Sequence, residues 1–209
     1  MLTQEEWMGA LNARHGKERQ EKFSRAVVAV CGLGGLGSNV AIALARAGIG
    51  KLILIDFDRV DVTNLNRQQY KASQLGMNKT EALAQNLREI NPFIRLETHA
   101  VRISEENAQE LLQEADVVCE AFDVPEAKAM LVNFVLENMP EKYLVAGSGM
   151  AGFGSPNTIQ TRRITGRFYL CGDTVSNVND GIGLVCARVM VCAAHEAHTI
   201  LRLLANEIE

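Results

Sequence analysis

The stretch that decides the fold reads Val27-Val28-Ala29-Val30-Cys31-Gly32-Leu33-Gly34-Gly35-Leu36-Gly37. An apolar run of this length that ends at glycine is typical of a buried parallel strand. The next residues, 38–47, have helical spacing and good helix-forming side chains. The glycines therefore lie at a turn from a strand to a helix, where backbone N–H groups and the positive end of the helix can hold a phosphate.

The residues after the glycine pattern support a nucleotide-binding turn. Gly32 and Gly34 allow a tight turn and the close approach of a ligand, and Gly37 allows the helix to pack on the strand. A second strand is predicted for residues 51–55 and ends at Asp56, where a nucleotide-binding fold has an acceptor for ribose hydroxyls. The alternative is an ordinary tight turn, and the ordered succession of strand, turn, helix, strand and acid argues against it.

The composition limits the class of protein. The 209 residues are 47% hydrophobic and 22% charged, which is ordinary for a globular chain that buries a core. The formal net charge of −4, without a basic run, argues against nucleic acid as a partner. Five cysteines at irregular spacing favour reduced thiols and a cytoplasmic location. No secretory pattern opens the chain, and the apolar stretch 182–194 is too short to span a membrane and carries Arg188, so no membrane partner is expected.

Strands and helices alternate along the middle of the chain. Helices are predicted for residues 79–90 and 104–114 and from Pro125 onward, and strands for residues 94–101, 117–121 and 143–146. This alternation predicts an α/β fold with a Rossmann-like, doubly wound and mostly parallel sheet. A polar helical segment with a Thr3–Glu6 capping box precedes it.

The last part of the chain has a different pattern. A glycine-rich loop at 147–154 leads to two short strands, 158–164 and 168–171, which predict a small antiparallel C-terminal extension before a closing helix at 184–205. Without a repeat or a linker, we expect a single nucleotide-binding domain over residues 1–209. Its parts are a helical segment at 1–25, a Rossmann-like core at 26–147 and the extension with the closing helix at 148–209.

The polar loop after Asp56 makes the assignment specific. Residues 57–68 are too many for an ordinary turn, and long ordered loops in compact domains are usually functional. Four motifs, Gly32-Leu-Gly-Gly-Leu-Gly37, Asp56-Phe-Asp58, Asn64-Leu-Asn-Arg-Gln68 and Lys79, together resemble the ThiF/MoeB-type adenylyltransferases, which are related to the ubiquitin-activating enzymes. The short chain and Cys171-Gly-Asp173 resemble the short ThiF-like subgroup.

The resemblance implies an activity. Members of this family use ATP and Mg²⁺ to adenylate the C-terminal Gly-Gly carboxylate of a small ubiquitin-like sulfur-carrier protein, and they release pyrophosphate. Similarity to the short subgroup favours a ThiS-like carrier and thiamine thiazole synthesis, and molybdopterin synthesis or another sulfur pathway is the alternative.

The resemblance also implies roles for individual residues. Arg67 and Lys79 supply positive charge between the carboxylate and the triphosphate, and Asp123 is linked to Mg²⁺. Arg14, or less well Arg19, reaches the γ-phosphate in the partner subunit, which implies a homodimer with shared sites. The remaining nucleotide-binding residues are Gly32, Gly34, Gly35, Gly37, Asp56 for the ribose, Asp58, and Asn64 and Gln68 for hydrogen bonds.

Each charged residue has a simpler interpretation. Arg67 and Arg14 are solvated surface charges in this view, Lys79 is an ordinary lysine at a helix start, and Asp123 caps the helix that contains Pro125. His195 and His198 are interpreted as core or surface residues rather than metal ligands. A dimer is also predicted from the closing helix, whose apolar surface exceeds what one sheet face needs.

The cysteines argue against zinc, because no two of them have Cys-x-x-Cys spacing. Cys31, Cys119, Cys186 and Cys192 are interpreted as buried small apolar residues. Cys171, beside a predicted turn, is the candidate that the resemblance offers for a covalent link with the carrier. Two other functional classes stay open. The polar, phosphate-suited loop at 64–68 and the lack of a partnered His or Tyr acid argue against an NAD-dependent oxidoreductase, and the charged set of Arg67, Lys79 and Asp123 argues against a non-catalytic nucleotide-binding protein.

Overall fold

The computed structural model describes residues 2–179 and 181–207. The strands are β1 (Val27–Cys31), β2 (Lys51–Ile55), β3 (Arg95–His99), β4 (Val117–Glu120), β5 (Tyr143–Gly147), β6 (Gln160–Thr165) and β7 (Phe168–Gly172). The α-helices are α1 (Gln4–His15), α2 (Lys17–Arg25), α3 (Gly35–Arg46), α4 (Lys79–Ile90), α5 (Glu105–Leu112), α6 (Pro125–Asn138) and α7 (Cys186–Ala205). Short 3-10 turns occupy Val62–Asn64, Ala72–Gln74 and Pro156–Thr158.

All of these strands belong to one sheet with the order β3-β2-β1-β4-β5-β7-β6. The predicted Rossmann-like, mostly parallel sheet is confirmed, with β6 antiparallel to β7. The antiparallel pair continues the main sheet, since β7 lies parallel to β5. Strand β1 lies between β2 and β4, so the order of connections reverses beside the glycine turn. In open parallel sheets a ligand crevice forms at the carboxyl ends of the strands at this point.

Alternating side chains of the strands face two helical layers. Val28 and Val30 face the larger core with α3, α4 and α7, whereas Ala29, Cys31 and Ile53 face the smaller core with α5 and α6. No helix in the described ranges is long and apolar enough to span a membrane.

The N-terminal segment forms two helices rather than one. Gly16 separates α1 from α2 with φ +82°, and the Thr3–Glu6 capping box is present. Helix α3 begins at Gly35, three residues before the predicted start, because Gly35 and Gly37 adopt helical conformation in the first turn. The glycine motif thus covers both the turn and the N-terminus of the helix.

The apolar surface of α7 is largely used within its own chain. Val189 and Ile200 are buried in the larger core, and Leu184, Val191, Leu201 and Leu204 pack partly buried against it. Helix α7 contacts α3 as well as β5, β6 and β7, so it needs apolar side chains on more than one side. These contacts within the chain account for most of the apolar surface that the sequence assigns to a dimer, and the dimer itself stays a prediction.

Candidate nucleotide-binding site

The glycine turn joins the carboxyl end of β1 to the first turn of α3. Gly32 has φ +90°, in the left-handed region that glycine adopts without strain. A Cβ atom on Gly37 would lie 1.8 Å from the carbonyl oxygen of Gly32, and one on Gly32 would lie 2.8 Å from that of Ala121. Packing alone therefore requires glycine at both positions.

Gly34 is different, because a Cβ atom there would meet no clash. A Cβ atom there would meet Gln68 Nε2 at 3.8 Å, an ordinary contact distance. Gly34 is also the N-cap of α3 and contributes no side-chain hydrogen bond to the first amides of the helix. N–H groups without a side-chain cap can bind an anion, as expected at a helix N-terminus.

Asp56 connects the end of β2 to the glycine turn. Its carboxylate accepts hydrogen bonds from Leu33 N at 2.6 Å and from Asp58 N at 2.8 Å. Burial raises the pKa of Asp56, which is 7% exposed, and the nearby Lys79 ammonium opposes this shift. Each carboxylate oxygen has a second lone pair, so Asp56 can also accept hydrogen bonds from ribose hydroxyls while it fixes the turn.

Lys79 is the first residue of α4 and lies against the loop that comes after β2. Its ammonium is 2.8 Å from Asp58 Oδ2, and its side chain is only 6% exposed whereas that of Asp58 is 48% exposed. Lys79 N also donates to the carbonyl oxygen of Asp58. The simple interpretation of Lys79 as an ordinary lysine at a helix start does not account for its burial, which arises because this loop covers the first turn of α4.

Arg67 and Gln68 bring unpaired polar atoms to the glycine turn. Arg67 Nη1 donates to Thr63 O at 2.9 Å and to Asn66 Oδ1 at 2.8 Å. Arg67 Nε and Gln68 Oε1 are buried and have no hydrogen-bond partner among residues 2–179 and 181–207. Buried polar atoms in folded proteins are normally paired, so these two atoms fit a polar ligand beside Gly34 and Gly35. The interpretation of Arg67 as a solvated charge does not account for its buried Nε atom.

Asn64 has a local structural role. Its side-chain oxygen accepts a hydrogen bond from Asp61 N at 3.0 Å and closes a capping box around the 3-10 turn Val62–Asn64. That bond holds the polar loop in the conformation that positions Arg67. A contact from Asn64 to phosphate would use its amide nitrogen, whereas a ribose hydroxyl can also donate to the second lone pair of its side-chain oxygen.

Asp123 lies in the turn from β4 to α6, next to the glycine turn. Ala121 and Phe122, just before it, are the residues closest to Gly32. Asp123 is exposed. The N-cap of α6 is Val124, without a side-chain cap, so the alternative that Asp123 caps this helix is wrong. An exposed carboxylate beside a phosphate site suits Mg²⁺, which is held by one or two carboxylates together with phosphate oxygens and water. The described residues contain no cluster of three or more metal-ligating side chains.

A buried ion pair, missed in the sequence, fixes that turn. Glu120 Oε1 accepts a hydrogen bond from Phe122 N at 2.7 Å, and Lys128 Nζ lies 2.7 Å from Glu120 Oε2 and donates to Phe122 O at 3.1 Å. Burial raises the pKa of Glu120, and the Lys128 ammonium offsets only part of this shift. The sequence does show Glu120 as a charged residue at the end of a predicted buried strand. It does not show that Lys128, eight residues later, is its partner.

Arg14 is not brought to the glycine turn of its own chain. A Cβ atom on Gly48, just after α3, would lie 2.5 Å from Leu11 in α1, and Gln20 Nε2 bonds to Ala47 O and Gly48 O. Helices α1 and α2 thus pack at the carboxyl end of α3. The glycine turn is at the other end, about 18 Å away at the usual rise per residue.

The other candidate arginine, Arg19, is already paired. Its guanidinium lies 2.6 Å from Glu207 Oε1 and donates to the carbonyl oxygen of His15. Arg14 is exposed in the last turn of α1. Of the two, Arg14 is therefore the arginine available to another subunit.

The cysteines differ from expectation in two places. Cys171 lies inside β7, and burial raises its pKa to about 12, so its environment disfavours the thiolate that a covalent link needs. Cys186, expected to be buried, is partly exposed at the first residue of α7, with Sγ 3.7 Å from Met190 Sδ. Burial also raises the pKa of Cys31 and Cys119, in agreement with their interpretation as core residues.

Two buried side chains of α7 are further residues that the sequence did not reveal. Arg188 is paired with Asp173 at 2.5 Å and donates to the carbonyl oxygens of Ala151, Gly154 and Ser155. It thereby ties the glycine-rich loop after β5 to the loop after β7. Glu196 is fully buried against Gly147, and its Oε1 atom lacks a hydrogen-bond partner in the described part of the chain.

Comparison with known proteins agrees with this geometry. Residues 9–207 match the model of the ThiF family. The chain belongs to the ThiF family. It is 34% identical over 203 residues to the adenylyltransferase and sulfurtransferase UBA4 of Lodderomyces elongisporus, an alignment that covers 92% of this chain and 43% of that protein. The ThiF member described here thus spans less than half the length of this relative.

Two further relatives, one found by sequence and one by structure, have names that give different substrates. The sulfur carrier protein adenylyltransferase of Thermus thermophilus is 38% identical over 131 residues, which cover 62% of this chain and 43% of that protein. The E. coli tRNA N6-threonylcarbamoyladenosine dehydratase TcdA, solved in complex with ATP, superposes with a TM-score of 0.87 at 25% identity and covers 99% of this ThiF chain and 98% of its own.

Proposed function

We propose that this ThiF protein uses ATP to adenylate the C-terminal Gly-Gly carboxylate of a ubiquitin-like sulfur-carrier protein. The observation that carries the proposal is the pair of buried, unpaired atoms, Arg67 Nε and Gln68 Oε1, beside the uncapped N-terminus of α3. Similarity to adenylyltransferases that include a sulfur carrier protein adenylyltransferase supports the reaction type. We further propose a ThiS-like carrier of thiamine thiazole synthesis as the substrate.

The proposed chemistry needs two anions to meet. A carboxylate oxygen of the carrier attacks the α-phosphorus of ATP, a new C–O–P linkage forms, and the bond from the α-phosphorus to pyrophosphate breaks. Arg67 and Lys79 offset the charge that builds up on the phosphate oxygens, and the N–H groups after Gly34 bind phosphate. Asp56 orients the ribose, which positions the α-phosphorus for attack.

Mg²⁺ would be held by Asp123 and the phosphate oxygens of ATP. Bound there, the ion would neutralise charge on the leaving pyrophosphate. The Glu120–Lys128 pair would keep the backbone that carries Asp123 in place.

We also propose that the enzyme is a homodimer in which Arg14 enters the site of the partner subunit. The position of α1 at the far end of α3 supports this arrangement, because Arg14 is then too far from the glycine turn of its own chain to bind a phosphate there. This arrangement rests on the position of α1 and does not depend on apolar surface of α7.

Carrier-dependent exchange of labelled pyrophosphate into ATP tests the proposal. The protein would be incubated with ThiS-like and molybdopterin-type carriers, and with each carrier lacking its two C-terminal glycines as the matched control. Exchange with an intact ThiS-like carrier is expected. Exchange with the molybdopterin-type carrier alone would assign a different pathway, and exchange without any carrier would contradict carrier activation.

A second candidate function is favoured by the length of the match to TcdA, which spans 98% of that chain. In this alternative the activated carboxylate is that of threonylcarbamoyladenosine in tRNA, the substrate class in the name of TcdA, and nucleic acid is then a partner. Replacing the carrier by tRNA that contains this nucleoside in the same assay separates the two functions. Exchange that depends on tRNA and is absent with carriers would overturn the first proposal.

A further inference from the structure

A cleft of about 410 Å³ lies between β6, β7 and α7, away from the glycine turn. The sheet order places β6 at the edge, four strands from β1. Basic and hydroxyl side chains make up most of the described residues that line it, namely Arg163, His195, His198, Arg202, Thr161 and Thr199. Its size is in the range of small-molecule sites.

The charge of the cleft is opposite to that of the whole chain. The formal net charge of the protein is −4, yet no Asp or Glu is among the residues lining the cleft in the part of the chain that the structure describes. Two arginines from different elements, Arg163 on β6 and Arg202 on α7, lie in its wall. Guanidinium groups from two elements of a concave site suit a phosphate, because each has N–H donors left for charge-assisted hydrogen bonds beside those it gives to Gly166 O or Glu207 O.

Several of these side chains are held in place by other hydrogen bonds. Arg163 Nε and Nη2 donate to Gly166 O at 3.0 and 2.7 Å, and its Cζ atom lies 5.9 Å from the ring centre of Tyr169. Thr161 Oγ1 lies 3.0 Å from His195 Nδ1 and 3.4 Å from Thr199 Oγ1. Binding here would therefore cost less side-chain ordering than binding to free surface arginines.

We propose that this cleft is a second binding site, separate from the nucleotide site, for a small molecule that carries a phosphate group. Arg163 and Arg202 bind the phosphate, with hydroxyl and imidazole groups as further donors. The volume exceeds what inorganic phosphate fills, and the buried ring of Tyr169 lines the remainder, so a phosphate monoester with an organic part is favoured over the free ion.

Titration calorimetry with ribose 5-phosphate, inorganic phosphate, pyrophosphate and ribose tests this site, with saturating ATP present to occupy the glycine turn. Ribose 5-phosphate is expected to bind with a Kd of about 1 mM or tighter, more tightly than inorganic phosphate, whereas ribose should not bind. Equal or tighter binding of inorganic phosphate or pyrophosphate would overturn the preference for a monoester. Loss of all phosphate binding in the presence of ATP would overturn a separate site.

Variants locate the binding. Arg163→Gln and Arg202→Gln are each expected to weaken binding of ribose 5-phosphate about tenfold or more, since each loses a charge-assisted hydrogen bond. The control is Arg162→Gln on the same strand, because Arg162 bonds to Gly172 O and does not line the cleft. Melting temperatures verify that the variants fold. If a variant does not fold, the comparison of ribose 5-phosphate with ribose on the wild-type protein still tests the site.

Two outcomes would contradict binding of a phosphate monoester by Arg163 and Arg202. An equal loss of affinity in Arg162→Gln would mean that general surface charge attracts the phosphate. Tight binding of a short RNA oligonucleotide, lost in Arg163→Gln and accompanied by no measurable affinity for ribose 5-phosphate, would mean that the cleft belongs to a nucleic-acid surface.

Discussion

Lys79 Nζ lies 2.8 Å from Asp58 Oδ2, and the lysine side chain of this pair is buried while the aspartate side chain is half exposed. Lys79 also influences Asp56, whose pKa it lowers against the effect of burial. One buried cation thus interacts with both acids of the Asp56-Phe-Asp58 motif. Its charge is available at the glycine turn, and its aliphatic stem is part of the packing under the loop.

We predict that Lys79→Met lowers the rate of adenylate formation by about a hundredfold or more, as expected for loss of a charge that stabilises the transition state. The free energy of unfolding should change by only about 1 kcal/mol, because methionine keeps the buried stem and Asp58 remains solvated. Single-turnover kinetics and urea denaturation measure the two effects.

Lys71→Met is the control for this variant, since Lys71 is an exposed lysine paired with Glu89. A wild-type rate in Lys79→Met would exclude Lys79 from the reaction. Lys79→Ala is a poorer test than the sequence suggests, because removing a buried side chain also leaves a cavity.

We predict that Arg67→Ala lowers the rate about a hundredfold or more and shifts the melting temperature little. Arg67 loses two hydrogen bonds to its own loop in this variant, and neither bond is buried in the core. The matched control is Arg59→Ala, which removes an exposed loop arginine that bonds to Gly76 O. A large fall in melting temperature together with a normal rate in the folded fraction would assign Arg67 a structural role only.

Asp123→Asn should raise the Mg²⁺ concentration needed for half-maximal activity by about tenfold or more, because the amide has lost the negative charge that a hard cation prefers. Stability should be unchanged, since Asp123 caps no helix. Activity is titrated with Mg²⁺ at saturating ATP. An unchanged Mg²⁺ titration would reject metal binding by this residue.

Glu196→Gln is expected to stabilise the protein at neutral pH. Burial raises the pKa of Glu196 well above its ordinary value, Glu120 adds to this shift and Lys128 opposes it. Between the ordinary pKa and the raised one, the unfolded state is ionised while the folded state holds its proton, so stability is lost as the pH rises. The free energy of unfolding falls by at most about 1.4 kcal/mol per pH unit because of Glu196.

Urea denaturation at about pH 5 and about pH 8 measures this effect. The wild-type protein should lose more stability over this range than Glu196→Gln, and the exposed Glu137→Gln should behave like the wild type. Identical pH dependence in Glu196→Gln and the wild type would show that Glu196 does not hold its proton in the fold.

We predict that Arg14 acts in the partner subunit. Arg14→Ala and Arg67→Ala subunits, each nearly inactive alone, should regain activity when mixed, because a heterodimer then has one site with both changes and one intact site. Up to about half of the activity of each heterodimer should return. No recovery, with subunit exchange verified by mass spectrometry, would contradict action in trans.

The sequence was informative where structure is set locally. The β1–turn–α3–β2 unit is predicted by an apolar run, spaced glycines and a terminal acid, and the structure confirms its order and orientation. The sequence places the start of α3 too late because glycine has a low helix propensity, whereas position 37 lies in the helix and needs glycine because a Cβ atom there would clash with Gly32 O.

Properties that depend on distant contacts could not be predicted. Burial of Lys79 results from the loop that contains Asp58, and the position of α1 at the far end of α3 results from packing between Leu11 and Gly48. Pairing of β7 with β5 joins the C-terminal strands to the main sheet. These contacts link residues far apart in the chain, and local spacing carries no information about them.

The central claim is that the carrier receives AMP on its C-terminal carboxylate. The most direct test traces label from ATP to the carrier in single-turnover reactions, with ATP labelled at the α-phosphate in one sample and at the γ-phosphate in the other. We predict that the carrier acquires α-label and no γ-label, and that a carrier without its two C-terminal glycines acquires neither. Transfer of γ-label, or no transfer to any ThiS-like or molybdopterin-type carrier, would contradict the account.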